Sequence, residues 1–163
     1  MESCARKILV LVDVRTPRCA AVHEAARLAH EDAARVELYD CGGTEALPPG
    51  WASEDSLDLE YRALVYARRL TDLEYLARPL RSRGIDVTTI AEEGQPLDEA
   101  IVQHVLLAEP DLIVMDGPCG AADEAWWQKR PGAILRRHAR CPVLLVGENR
   151  LADNASDGLQ QVT

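Results

Sequence analysis

The sequence predicts an α/β fold: a three-layer sandwich in which helices cover both faces of a five-stranded parallel sheet. Continuous apolar runs at 111–115 and 143–146 are typical of strands that are buried on both faces of such a sheet. Segments with apolar residues at helical spacing separate the runs, so that strands and helices alternate along the chain. This alternation predicts parallel strands joined by right-handed crossovers.

Each element has its own signal. The predicted strands cover residues 7–14, 35–41, 85–90, 111–115 and 143–146. The first helix is predicted to begin after Thr16 as its cap, with Pro17 at its first position. The longest helix is predicted at 60–81, where Pro79 is expected to kink it or end it early and Gly84 suits a left-handed cap.

A chain of 163 residues fits one domain, which we assign to residues 1–147. Residues 42–59 carry four acids without helical or strand periodicity, and they predict a long acidic loop. Residues 148–163 are polar and predict a disordered tail.

Composition excludes several classes of function. The net charge of −9 argues against nucleic acid and anionic membranes as partners. No secretory signal and no apolar run of the ~20 residues that span a bilayer is evident, which favours a cytoplasmic location. Five scattered cysteines without C-x-x-C spacing, and histidines without matched ligands, predict neither a disulfide framework nor a metal site.

Five segments carry a resemblance to a known family, and one of them is the helix that follows the first strand. The other four are K-I-L-V-L-V-D at 7–13, E-E-G-Q-P-L-D-E-A-I-V at 92–102, D-L-I-V-M at 111–115 and R-R-H-A-R-C-P-V-L-L-V at 136–146. In this order and spacing the chain resembles the universal stress protein (Usp) family, whose fold is adenine nucleotide alpha hydrolase-like. The resemblance implies the strand order 3-2-1-4-5. It also implies a homodimer paired through the last strand, at Val143, Leu144, Leu145 and Val146.

The nucleotide-binding branch of that family has glycines after the fourth strand and a Gly-Ser or Gly-Thr pair before the last helix. Glycines allow close approach of backbone N–H groups to phosphates. In a register without gaps, these positions hold Asp116, Cys119 and the pair Lys129-Arg130. The chain therefore resembles the degenerate, non-ATP-binding branch, and in particular one domain of tandem Usp proteins. Trp126 and Trp127 are then expected to fill or cover the nucleotide cleft.

Some residues still match nucleotide contacts. Asp13 matches the first-strand acid of the family and Cys41 falls near its adenine contact, while Gly117 and Gly120 form a G-x-x-G that lies one residue late. Lys129 and Arg130 could bind an anion through their side chains. The candidate binding residues are thus Asp13, Cys41, Gly117, Gly120, Lys129 and Arg130.

The favoured function is a non-enzymatic, dimeric stress-response adaptor or small-ligand sensor that has lost the ATP phosphate loop and needs no cofactor. The alternative is an ATP-binding, slowly hydrolysing Usp that holds ATP or AMP with Mg through Asp13 and Lys129/Arg130. A third hypothesis is an enzyme that uses Cys119, for which the sequence offers no activating partner.

Overall fold

The computed structural model describes residues 6–14, 20–41, 56–92, 97–117, 133–147 and 159–162. The strands are β1 (Lys7–Val12), β2 (Arg35–Asp40), β3 (Val87–Ile90), β4 (Leu112–Asp116), β5 (Val143–Val146) and β6 (Leu159–Val162). The helices within these ranges are α1 (Ala20–Asp32), α2 (Ser56–Ser82), α3 (Leu97–Ala108) and α4 (Ala133–His138).

The strands form one parallel sheet of order β3-β2-β1-β4-β5-β6. The first five follow the order that the family resemblance implies, so the predicted fold is confirmed. Strand β1 lies at the centre, where Ile8 pairs with Val36 of β2 on one side and with Leu112 of β4 on the other. Residues 8–12 are all buried, as a strand covered on both faces requires.

Helices cover the two faces of the sheet and define two apolar clusters. Alternate residues of β1 point to opposite faces. Ile8, Val10 and Val12 join a cluster with the alanine-rich face of α1 and with the buried residues of α2. Leu9 and Leu11 join the other cluster, with residues of α3 and α4. The alternation in β1 therefore supplies both halves of the core.

Strand β6 corrects the prediction of a disordered tail at residues 159–162. It pairs with β5 in parallel, from Val143 opposite Leu159 to Val146 opposite Val162. An edge strand does not need the continuous apolar run that marks a central one, which is why L-Q-Q-V gave no signal. Both edges of β5 are consequently paired, one with β4 and one with β6. A homodimer through β5 stays a prediction, and it now requires β6 to move.

Helix α2 begins at Ser56, so residues 56–59 of the predicted acidic loop are helical. The helix continues through Pro79 to Ser82, and the prediction of an early end there was wrong. Pro79 and Tyr75 are both exposed, so the carbonyl that Pro79 leaves without a donor is accessible to water. Gly84 has φ 81°, which is the left-handed conformation expected after the helix.

Only the second half of α2 packs on the sheet. Its buried positions begin at Arg69, whereas residues 59–64 are all exposed. A 27-residue helix is roughly 40 Å long, about twice the length of a six-residue strand. The first turns of α2 therefore project beyond the carboxyl ends of the strands. No helix in the described part of the chain is long and apolar enough to cross a membrane.

Candidate functional site

The candidate site lies at the carboxyl edge of the sheet, where the strand order reverses between β1 and β4. Open α/β sheets bind ligands at such a switch point. Asp13 lies just after β1 and Cys41 follows β2, while Asp116 ends β4 and Gly117 follows it. Because β2, β1 and β4 are neighbours in the sheet, these ends meet at one edge. Three of the six predicted binding residues (Asp13, Cys41 and Gly117) are thus brought to the site.

The carboxylate of Asp116 joins β4 to the start of α1. Its Oδ1 accepts a hydrogen bond from the backbone N–H of Ala21 at 3.0 Å. Ala21 lies in the first turn of α1, whose N–H groups have no partner within the helix and carry the positive end of its dipole. Asp116 therefore takes an anion-binding position that a phosphate group would otherwise favour. The sequence predicted that Asp116 replaces a glycine of the family's motif, but it did not predict this contact.

Gly117 is held by the sheet as well. Its backbone N–H donates to the carbonyl of Val146 at 2.8 Å. A Cβ added at Gly117 would meet Leu145 and Val146 at 3.8 Å, an ordinary contact distance. Packing therefore does not require a glycine at this position. The N–H of Gly117 is already used within the sheet and is not oriented toward a ligand in the cleft.

A buried ion pair lies behind the edge. Arg69 Nε donates to Asp40 Oδ2 at 2.5 Å, with the side chains 7% and 1% exposed. Arg69 Nη1 donates to the carbonyl of Glu92 at 3.0 Å, and Asp40 Oδ1 accepts from Val14 N at 3.4 Å. One guanidinium thus links α2, the end of β2 and the segment after β3. The sequence did offer a sign that Arg69 lies on the buried face of α2, because it precedes the buried Leu73 by four residues.

A second polar group lies on the α3 face of the sheet. His104 Nε2 forms a short hydrogen bond with Glu37, and its ring stacks on Tyr39 with centroids 4.7 Å apart. This confirms the prediction that His104 is a core or boundary histidine with a hydrogen-bonding partner. Burial alone would raise the pKa of Glu37, but the bond to His104 and its charge lower that pKa below its usual value. Burial also raises the pKa of Tyr39.

The described residues at this edge do not form a metal site. Within the described ranges, no group of three or more His, Cys, Asp and Glu side chains is arranged to hold an ion. Gly120, Lys129 and Arg130 lie outside the described residues. The same holds for Cys119, Trp126 and Trp127, so the predicted filling of the cleft stays a prediction.

Comparison with known proteins agrees with this architecture. The family model described as "Universal stress protein family" matches residues 5–147. The chain belongs to the universal stress protein family. No curated protein sequence matches the chain significantly.

Solved universal stress proteins share the fold. A family protein from Burkholderia pseudomallei is 25% identical, with 89% of this chain and 98% of that one covered and a TM-score of 0.55. Universal stress protein UspA from Lactobacillus plantarum is 18% identical, covering 86% and 96%, with a TM-score of 0.60. A family protein from Arabidopsis thaliana, determined with AMP bound, is 20% identical, covering 93% and 99%, with a TM-score of 0.54.

Proposed function

We propose that this universal stress protein is a non-enzymatic, dimeric stress-response adaptor or small-ligand sensor of the cytoplasm, and that it has lost the family's phosphate loop. The observation that carries the proposal is the carboxylate of Asp116 at the switch point. It accepts the N–H of Ala21 and so occupies the start of α1 with a negative group. A phosphate brought to this edge would meet a like charge and a helix start at which the N–H of Ala21 already has an acceptor.

A second observation supports the loss of phosphate binding. Backbone N–H groups hold phosphates only when they point into the cleft. The N–H of Gly117 instead donates to Val146 within the sheet. At the described part of the edge, this backbone N–H is therefore not available to a phosphate.

Isothermal titration with Mg-ATP and with AMP tests the proposal. We expect no micromolar binding to the wild-type protein. In Asp116→Asn the side-chain oxygen can still accept the N–H of Ala21, but the negative charge is gone, so weak nucleotide binding should emerge. Asp111→Asn is the matched control, because Asp111 accepts the N–H of Lys7 at 2.8 Å at the opposite end of β4.

The results separate clearly. Micromolar binding of Mg-ATP to the wild-type protein would overturn the proposal. Equal gains in Asp116→Asn and Asp111→Asn would show that overall charge, rather than charge at the switch point, excludes the nucleotide.

Nucleotide binding is the second candidate function. It is favoured by the Arabidopsis thaliana protein with AMP bound and by the position of Asp13 at the same edge. In this version, Asp13 and Lys129/Arg130 hold ATP or AMP with Mg. Native mass spectrometry of the purified protein should then detect bound nucleotide. Asp13→Ala combined with Arg130→Ala should remove it, and undiminished binding would exclude these residues.

A further inference from the structure

Strand β3 forms one end of the sheet in the described part of the chain, so only one of its sides pairs with another strand. On that side, the N–H of Val36 in β2 donates to the carbonyl of Asp86 at 2.8 Å. The backbone groups of successive residues in a strand point alternately to its two sides. The N–H and carbonyl groups of Val87 and Thr89 therefore point away from β2, along the outer edge of the sheet.

The sequence of β3 favours pairing at this outer edge. All four residues of V-T-T-I at 87–90 are β-branched, and none is charged. An edge strand of this kind presents its outward backbone groups to any extended segment that approaches it. Proteins limit such pairing by placing charged side chains at the edge, and β3 supplies none of its own.

Two charged residues of α2 lie at this edge. Arg81 donates twice to the carbonyl of Val87, from Nη2 at 3.0 Å and from Nε at 3.3 Å. Glu74 accepts a short hydrogen bond from Nη1 of the same guanidinium and a second from Nη2 at 3.2 Å. Glu74 also accepts a hydrogen bond from the hydroxyl of Thr89 at 2.7 Å. The two side chains thus contact both of the residues whose backbone groups point outward.

The pair of Arg81 and Glu74 is too exposed to be explained by stability alone. The side chains are 42% and 46% exposed, and ion pairs so accessible to water contribute little to the free energy of unfolding. The hydrogen bond from Arg81 lowers the pKa of the Glu74 carboxyl, so this partner is charged at neutral pH. The pair therefore places two charges and a held guanidinium where a further strand would lie.

We propose that Glu74 and Arg81, the edge-protecting pair, prevent β3 of a second copy of the chain from extending the sheet. A strand added at this edge needs the carbonyl of Val87 as an acceptor for its own N–H, and Arg81 already donates to that carbonyl. The added strand would also remove both charges from water, which is unfavourable. This inference goes beyond the proposed function and does not depend on whether a nucleotide binds.

Sedimentation velocity over a series of protein concentrations tests the proposal. Arg81→Met keeps an unbranched side chain but removes the donors to Val87. We expect this variant to associate at a concentration about tenfold or more below that at which the wild-type protein first forms larger species, because the edge regains backbone hydrogen bonds. Arg78→Met is the matched control: Arg78 is exposed on α2, and its charge also acts on Glu74. It should associate as the wild-type protein does.

A proline substitution tests where the association occurs. The N–H of Thr89 points outward, so Thr89→Pro removes a donor from the outer edge while the bonds to β2 remain. Arg81→Met combined with Thr89→Pro should therefore associate no more than the wild-type protein. Hydrogen exchange gives a second readout, because the amides of Val87 and Thr89 should gain protection in associated Arg81→Met. Circular dichroism and urea unfolding check the fold of each variant.

The outcomes are distinct. A folded Arg81→Met variant that associates no more than Arg78→Met would overturn the proposal. So would association that persists with Thr89→Pro, or exchange protection confined to other strands. Should Arg81→Met fail to fold, Glu74→Gln supplies the test: it keeps an acceptor for the Thr89 hydroxyl but removes the charge that holds Arg81. It should associate more than the wild-type protein, and no increase would contradict the assigned role.

Discussion

Arg69 connects three parts of the molecule through one side chain. Its guanidinium holds Asp40 at the end of β2 and the carbonyl of Glu92 after β3, while its backbone belongs to α2. A buried charge that loses its partner is strongly destabilising, even where the intact pair contributes little net stability. The contact therefore ties α2 to the sheet just below the candidate site.

Replacement of Arg69 tests this role. We expect Arg69→Met to lower the free energy of unfolding by about 3–5 kcal/mol, because the buried carboxylate of Asp40 loses the guanidinium that neutralises its charge. Urea denaturation measures the loss. Arg68→Met is the control: Arg68 is 82% exposed and its contact with Asp72 is 3.8 Å long, so the change should be below about 1 kcal/mol.

A double variant completes the experiment. Asp40→Asn removes the buried negative charge that Arg69→Met leaves without its guanidinium. Arg69→Met combined with Asp40→Asn should therefore recover part of the lost stability. A double variant that loses the sum of the two single effects would show that the ion pair carries no special coupling.

At the scale of elements, the backbone conformation of one residue, Gly84, terminates α2. Gly84 adopts φ 81° and its N–H donates to the carbonyl of Arg81 at 2.9 Å. A Cβ built on Gly84 meets no atom within 4 Å, so space is not the constraint. The constraint is the backbone conformation, because L-residues with a side chain are strained at this positive φ.

Two substitutions at this position separate conformation from packing. We expect Gly84→Ala to cost about 1 kcal/mol, purely from the left-handed backbone. Gly84→Asn should cost less, because asparagine tolerates this conformation better. Thermal and urea unfolding check the order. Equal costs for the two variants would contradict a conformational cause.

The elements also show what a single sequence can predict. Strand β5 was predicted with its observed bounds, because a run of apolar residues after R-C-P leaves little choice of period. The start of α2 was missed, because the four residues 56–59 continue an acidic segment and are too few to show a helical period. Strand β6 was missed because its pairing partner, and not its own sequence, makes it a strand.

The candidate site follows the same logic. Asp13, Cys41 and Gly117 could be placed at one edge because each follows a buried run, and parallel strands end together. The bond from Ala21 to Asp116 and the pair of Arg69 with Asp40 could not be predicted. Each joins residues far apart in the chain, and one sequence does not record which side chains meet.

At the scale of the whole molecule, acid should weaken the attachment of α3 to the sheet. The pKa of Glu37 is lower in the folded protein than its usual 4.5, because His104 stabilises the carboxylate. A group with a depressed folded pKa stabilises the fold above its unfolded pKa, and this contribution disappears as pH falls through the folded pKa. The contribution should thus be complete above pH 4.5 and diminish below it.

Glu37→Gln measures this effect. The wild-type protein should be more stable than the variant at pH 7, and the gap in free energy of unfolding should narrow as pH falls below 4.5. Glu60→Gln, at an exposed position of α2, is the control and should show no such gap. A gap for Glu37→Gln that widens toward acid would contradict the role assigned to His104.

The central position of β1 also governs how the molecule can be assembled. One partner of β1 is β2, the next strand in the chain, but the other partner is β4. Ile8 can therefore pair with Leu112 only after most of the chain has been made. Pairings between residues so distant in sequence slow folding. During synthesis, β1, β2 and β3 can associate while one edge of β1 still waits for β4. Asp116 belongs to β4, so its hydrogen bond to the start of α1 can form only when β4 pairs with β1.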